Sequence, residues 1–230
     1  DDQIFQTSEY DVETILNHFR RQAYLTKAIK ITVKDKREKG KQHDYTFYFE
    51  GGIASYVKYI NHSKEIKQDE VFYIDKEVDE VKVEIALQYT NEFKENVFAF
   101  ANNIINPEGG THLVGFRTAL TRSLNNYARA KNFIKEKDDN LTGEDVREGL
   151  SAVISVKIKD PQFEGQTKSK LGNPEVRTIV EKVFNEHFQD WLELNPRDGE
   201  QIIGKCLLAS RARIAARAAR DTILRKGALE

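Results

Sequence analysis

"SAVISVKI", residues 151–158, holds one charge in eight positions and is otherwise apolar or small. A strand with one wet face alternates apolar and polar residues. A run like this one needs cover on both faces, so it reads as a central strand of a sheet. Just upstream, "TGEDVREGL" (142–150) begins with a threonine cap and makes one or two helical turns. Just downstream, "QFEGQTKSKLGN" (162–173) is rich in glycine, lysine and side-chain amides and reads as a loop. Asn173-Pro174-Glu175 then caps and opens a helix to about Leu194, with proline at the first helical position. Asn195-Pro196 repeats the device for a last helix that runs to about Lys226.

Working towards the N-terminus, a long helix begins near Thr111 after the Pro-Glu-Gly-Gly turn at 107–110. Its apolar stripe is Leu113, Phe116, Leu120, Leu124 and Tyr127. Three strand-like runs precede it, at 71–78, 81–89 and 96–103. The order strands, helix, strand, helix, helix predicts an α+β domain: a mixed sheet with a βαβ crossover, followed by a long C-terminal helix. The polar stretch 62–70 is the best place for a boundary. Before it, "SEYDVETILNHFRRQAYL" (8–25) is an amphipathic helix with a Ser8 cap. "AIKITVKD" and "HDYTFYFE" flank a charged turn as a β-hairpin, and Gly51-Gly52 leads into a short helix ending near Asn61.

The formal net charge of −1, from 36 basic and 37 acidic residues, makes no whole-chain case for a nucleic-acid or membrane partner, so any such case must come from local clusters. Hydrophobic residues at 39% can build a core. The lone Cys206 excludes an internal disulfide and fits a reducing cytoplasm. His18, His43, His62, His112 and His187 are scattered without metal-ligand spacing, so no metal site is expected. No apolar run reaches the ~20 residues that span a bilayer, so no membrane partner is expected. The chain opens on "DDQIFQ" and stops at "RKGALE", and it reads as a piece of something larger.

Two segments carry chemistry. The loop after the buried strand leaves the sheet at its C-terminal end, where ligands bind in open α/β sheets. Gln166 offers amide donors and Lys168 a mobile point charge, and both suit a terminal phosphate. The same composition also suits plain surface, and the stretch is not a G-x-x-x-x-G-K-[ST] phosphate loop. In the last helix, Arg213, Arg217 and Arg220 stand at i, i+4 and i+7, a basic stripe that fits either a phosphate backbone or a solvated face. On the long helix, Arg122 and Arg129 point away from the apolar stripe, while Arg117 lies at its edge, half-covered. Gly51-Gly52 reads as a tight strand-to-helix turn, and His112 as a residue of the helix start rather than a catalyst.

Four stretches, "EGGIASYVKYIN" (50–61), "GGTHLVGFRTALTRSLNNYA" (109–128), "LTGEDVREGLSAVISVKI" (141–158) and "QFEGQTKSKLGN", together resemble the B subunits of bacterial DNA gyrase. Those of topoisomerase IV are nearly as close. The resemblance covers essentially the whole chain. It implies that residues 1–60 are the C-terminal end of a GHKL-type ATP-binding domain. Residues 61–230 would be a transducer domain leading to a TOPRIM domain. It further implies that Gln166, Thr167 and Lys168 form a "QTK" loop contacting the γ-phosphate of ATP, with Lys168 catalytic, and that Arg117 lines a cavity for DNA. Arg213, Arg217 and Arg220 become DNA-backbone contacts. The parent would be an ATP-hydrolysing type II topoisomerase of the bacterial cytoplasm, associated with the nucleoid. Its partners would be double-stranded DNA, the A subunit and a second copy of the B subunit. The ATPase motifs and their magnesium ligands would lie upstream of Asp1, so the fragment alone is expected to be inactive. Two rival readings are a middle domain of a chaperone or mismatch-repair GHKL protein, and a structural DNA-binding module without a nucleotide role.

Overall fold

The structure is a computed structural model that describes residue 4, residues 9–37 and residues 43–227, with side chains as far as residue 224. The Ser8 cap, residues 38–42 of the charged turn and the end of "RKGALE" lie outside the described residues. The chain divides into two compact units, residues 1–56 and 57–230. The division falls upstream of the polar stretch 62–70, because that stretch is stitched to the second unit. Ile66 bridges Thr90, and the buried Gln68 accepts from Tyr89 N at 3.2 Å and donates to Glu70 O at 2.8 Å. A polar segment whose hydrogen bonds are met by a sheet is not a linker.

In the first unit, helix α1 (Val12–Leu25) begins after the expected Ser8 start and is capped instead by Asp11, whose carboxylate accepts from Glu13 N at 3.2 Å and Thr14 N at 3.1 Å. The hairpin of β1 (Ile31–Asp35) and β2 (His43–Phe47) pairs Ile31 with Phe47 and Asp35 with His43. Tyr24 of α1 stacks on Phe49 with centroids 3.7 Å apart and on Tyr56 at 4.9 Å. Helix α2 (Gly52–Ile60) crosses the division between the units.

The second unit is built on a five-stranded mixed sheet. Its strands in chain order are β3 (Phe72–Val78), β4 (Val81–Tyr89), β5 (Asn96–Ala101), β6 (Ile104–Ile105) and, after a further short strand described below, β8 (Leu150–Lys157). The spatial order is β3-β4-β8-β5-β6, which puts "SAVISVKI" in the centre. β8 is buried at every position from Leu150 to Val156, as its apolar run requires. It pairs antiparallel with β4 (Ile85 opposite Ile154) and parallel with β5 (Ala99 opposite Ile154). Helices α3 (Thr111–Ala130) and α4 (Gly143–Arg147) lie between β5 and β8 in sequence.

Helix α5 (Pro174–Leu194) packs along α3 and against β3 and β4. The predicted stripe of α3 is the packed face: Phe116, Leu120, Leu124 and Tyr127 are buried, and Leu113 is half-buried against the same core. Phe116 meets Phe184 of α5 edge-on at 5.0 Å, and Phe184 and Phe188 both meet Phe72 of β3. Close approach of the two helices depends on Gly115, where a Cβ would stand 2.5 Å from Arg177 O. The last helix, α6 (Pro196–Gly227), buries Ile202, Ile203, Cys206 and Ala209, and most of its length beyond them is exposed.

Candidate functional site

The stretch "QFEGQTKSKLGN" is not an open loop. It forms a two-residue hairpin of β9 (Phe163–Glu164) and β10 (Lys170–Leu171), with the turn 165–169 at its tip. β10 also pairs in parallel with β7 (Gly109–Gly110), the short strand immediately before α3. Gly110 is needed there, since a Cβ would lie 2.3 Å from Leu171 O. The base is closed by Gly172 N donating to Gln162 O at 2.7 Å and by Gln162 N donating to Asn173 Oδ1 at 2.7 Å. This corrects the expected cap. Asn173 stands at the cap position of α5 but makes no capping bond, because its side chain is used to close the hairpin.

At the tip, Gln166, Thr167 and Lys168 are all exposed. The two lysines differ. Lys170 faces Glu164 across the hairpin at 3.0 Å, so its charge is matched. The Lys168 ammonium makes no ion pair with any described residue and lies over the Phe163 ring, 5.7 Å from its centroid. The turn therefore presents one unmatched cation beside an amide and a hydroxyl. That donor set fits phosphate oxygens, and no carboxylate among the described residues competes for the ammonium.

A second cationic region gathers around α4. Arg117, at the edge of the α3 stripe, donates from its guanidinium to Glu95 Oε1, through Nε at 3.1 Å and Nη2 at 2.9 Å. Arg147 of α4 approaches the other oxygen of Glu95 at 3.4 Å. Two guanidiniums on one carboxylate leave a net positive cluster. They line a polar cleft of about 550 Å³ with Thr118, Thr121, Arg122 and Asn126.

Arg213 holds Asp145 in a two-pronged bond, Nε to Oδ1 at 2.8 Å and Nη2 to Oδ2 at 2.9 Å. Asp145 is buried and also completes the capping box of α4 with Thr142. Burial by itself raises its carboxyl pKa, but the bonds from Arg213 and Thr142 outweigh that and hold it below the ordinary value. Lys205, also buried, pairs with Glu148 at 2.8 Å. Arg217 and Arg220 are exposed and make no ion pair with any described residue.

The expected stripe is thus unequal: Arg213 is engaged within the chain, and Arg217 and Arg220 carry the unmatched charge. Sequence reasoning missed Glu95, Asp145 and Arg147. Their roles follow from contacts that span from 22 to 68 positions, except that Thr142 three residues before Asp145 signals the capping box. His112 is fully buried at the start of α3, and burial pushes its pKa down to about 4. It is a neutral packing residue at neutral pH. Among the described residues no three potential metal ligands come together, and no helix is long and apolar enough to cross a membrane.

Fold and site together define a mixed-sheet α+β domain with a lysine-tipped hairpin and a partly exposed basic helix leaving the core. The sequence profile of DNA gyrase B matches residues 52–222, and the chain belongs to that family. It is 51% identical to the DNA gyrase B subunit of Clostridium acetobutylicum over all of its own length and 36% of that protein. It is 50% identical to the DNA gyrase B subunit of Bacillus mycoides, again over its full length and 57% of that protein. The chain therefore spans between about a third and somewhat over half of these relatives.

Among solved structures, the 43K ATPase domain of Thermus thermophilus gyrase B, in complex with an aminocoumarin, superposes with a TM-score of 0.82 at 38% identity. That match covers 96% of this chain and 59% of the other. The topoisomerase IV ATP-binding domain of Francisella tularensis, in complex with a small-molecule inhibitor, gives 0.77 at 26% identity, covering 93% and 57%.

Proposed function

We propose that this chain is the coupling region of the B subunit of an ATP-dependent type II DNA topoisomerase. Residues 1–60 then close a GHKL-type ATP-binding domain and residues 61–230 form the transducer. In this reading the 165–169 turn reaches the γ-phosphate of ATP, with Gln166 and Thr167 donating to its oxygens. Lys168 stabilises the charge that spreads over the phosphoryl oxygens during transfer to water. Loss of that phosphate leaves Lys168 without its anion and releases the turn, so one contact serves both hydrolysis and the report of it. The magnesium ion expected beside ATP belongs to the parent's ATP-binding domain.

The DNA-facing role falls to Arg117 and Arg147 at the polar cleft and to Arg217 and Arg220 on α6. All of these suit phosphates rather than base edges, as an enzyme acting on any sequence requires. Arg213 supports the stripe by fixing α6 on α4. The parent works with the gyrase A subunit, with a second copy of its own chain when ATP is bound, and with duplex DNA, in the bacterial cytoplasm at the nucleoid.

The observation that carries this reading is the turn itself: an exposed lysine without an ion-pair partner among the described residues, on a hairpin anchored at its base. The likeness of 96% of the chain to a gyrase B ATPase domain supports it. The test is chemical protection in the parent protein. A non-hydrolysable ATP analogue should slow amine modification of Lys168 while leaving Lys170, already paired with Glu164, unchanged. Equal modification of Lys168 with and without nucleotide would favour a structural DNA-binding module.

A further inference from the structure

The turn that carries Lys168 is held from beneath by Asn106, 62 positions away in the sequence. Asn106 is 2% exposed, and its Nδ2 donates to the carbonyl oxygen of Lys168 at 2.8 Å. Beside it, Glu108 N donates to Ser169 O at 3.1 Å. The main chain of Asn106 is itself fixed: its N–H donates to Ala99 O at 2.8 Å, and its carbonyl accepts from Gly109 N at 2.8 Å. Asn106 Oδ1 has no hydrogen-bond partner among the described residues. The side chain thus contributes its donor rather than its acceptor, and the donor goes to Lys168.

Lys168 needs such a hold. Its φ is +55°, in the left-handed region where a side chain other than that of glycine is strained. Strained residues persist where the surroundings over-determine them, and they gather at working sites. The turn's own bond, Lys168 N to Gly165 O, is long at 3.4 Å and weak by itself.

We propose that Asn106 is a positioning residue for Lys168. By holding the Lys168 carbonyl it keeps the backbone left-handed and the ammonium at the tip of the turn. Residues 106–110 run directly into α3, so the same contact ties the turn to the helix that carries Arg117. The inference rests on the reading of Lys168 as the contact to a terminal phosphate.

The experiment is a double-mutant cycle on ATP turnover in the full-length parent protein with the A subunit present: wild type, Asn106→Ala, Lys168→Ala and the double variant. Asn106→Ala should lower kcat roughly ten- to a hundredfold, the effect of misplacing a reacting group by a fraction of an ångström to an ångström. KM for ATP should stay within about twofold, because binding is made by other groups. The double variant should turn over no more slowly than Lys168→Ala alone, since a residue acting through Lys168 has nothing left to position.

Turnover of Asn106→Ala within about twofold of wild type, with Lys168→Ala strongly impaired, overturns the proposal and leaves the reading of Lys168 standing. So does a double variant slower than Lys168→Ala by the full Asn106→Ala factor, which marks a general structural role. Wild-type turnover of Lys168→Ala overturns both. Asn106→Asp keeps the shape but loses the donor when ionised, and it should show the same loss if the alanine variant folds poorly.

Discussion

Replacing Asp145 with alanine should destabilise the second unit. The carboxylate is buried, accepts two bonds from Arg213, and accepts the Thr142 N–H at 2.8 Å within the α4 capping box. Thr142 still caps α4 in that variant, but loss of the bond from its N–H costs about 1 kcal/mol. Loss of charge-assisted bonds to a partly exposed guanidinium adds about 1.5 kcal/mol. A total of about 2.5 kcal/mol corresponds to a fall of about 1 M in the urea midpoint for a unit of this size. Trp191, the chain's one tryptophan, lies on α5 against Phe188 at 5.9 Å, so its fluorescence follows unfolding of the second unit.

Asp145→Asn keeps an acceptor for the Thr142 N–H and should lose roughly half as much. The pH dependence fixes the cause. The folded carboxyl sits below its ordinary 3.8, so its contribution is fully present above that pH and is lost as pH falls through the lower folded value. The gap between wild type and Asp145→Asn should therefore close in strong acid. A gap below about 0.5 kcal/mol at pH 7, or one that does not narrow in acid, would refute the reasoning.

Gly115→Ala should cost about 1–3 kcal/mol by urea denaturation, because its Cβ would stand 2.5 Å from the Arg177 carbonyl and force α3 and α5 apart. His112 gives an acid-side dependence of opposite origin. The folded imidazole titrates at about 4 against an ordinary 6.5, so the unfolded chain takes up the proton first and stability drops as pH falls between those values. The full drop is about 3 kcal/mol, and it should be absent in a His112→Leu variant that folds. Arg217→Ala and Arg220→Ala should each lower the salt slope of duplex-DNA binding by about one, measured by titration of a labelled duplex at several salt concentrations. Arg213→Ala should act chiefly on stability, since its guanidinium is committed to Asp145.

What could be read in the sequence was whatever depends on local period. The apolar run at 151–158 marks a central strand, and the stripe Leu113, Phe116, Leu120, Leu124 and Tyr127 marks a packed helix face with Leu113 at its half-buried edge. Features of two-residue scale were not legible. β7, β9 and β10 are too short for any alternation, and they pair only because the chain brings Gly109–Gly110 beside Lys170–Leu171. Side-chain allegiance was also out of reach. Nothing in the spacing of Arg213, Arg217 and Arg220 separates them, yet one is bound to a carboxylate 68 positions away and two are exposed without an ion pair among the described residues. Asn173 looked like a cap because Asn-Pro often is one, but closing the hairpin took its side chain. For the same reason the loop showed its lysines but not which was unmatched, since the match is a cross-strand register.

The central claim is that Lys168 serves the chemistry of a terminal phosphate. In the full-length parent protein, Lys168→Ala should cut ATP turnover by a hundredfold or more, on the order of the loss of one preorganised charge contact, while nucleotide binding changes only a fewfold. Turnover equal to wild type in that variant would contradict the account.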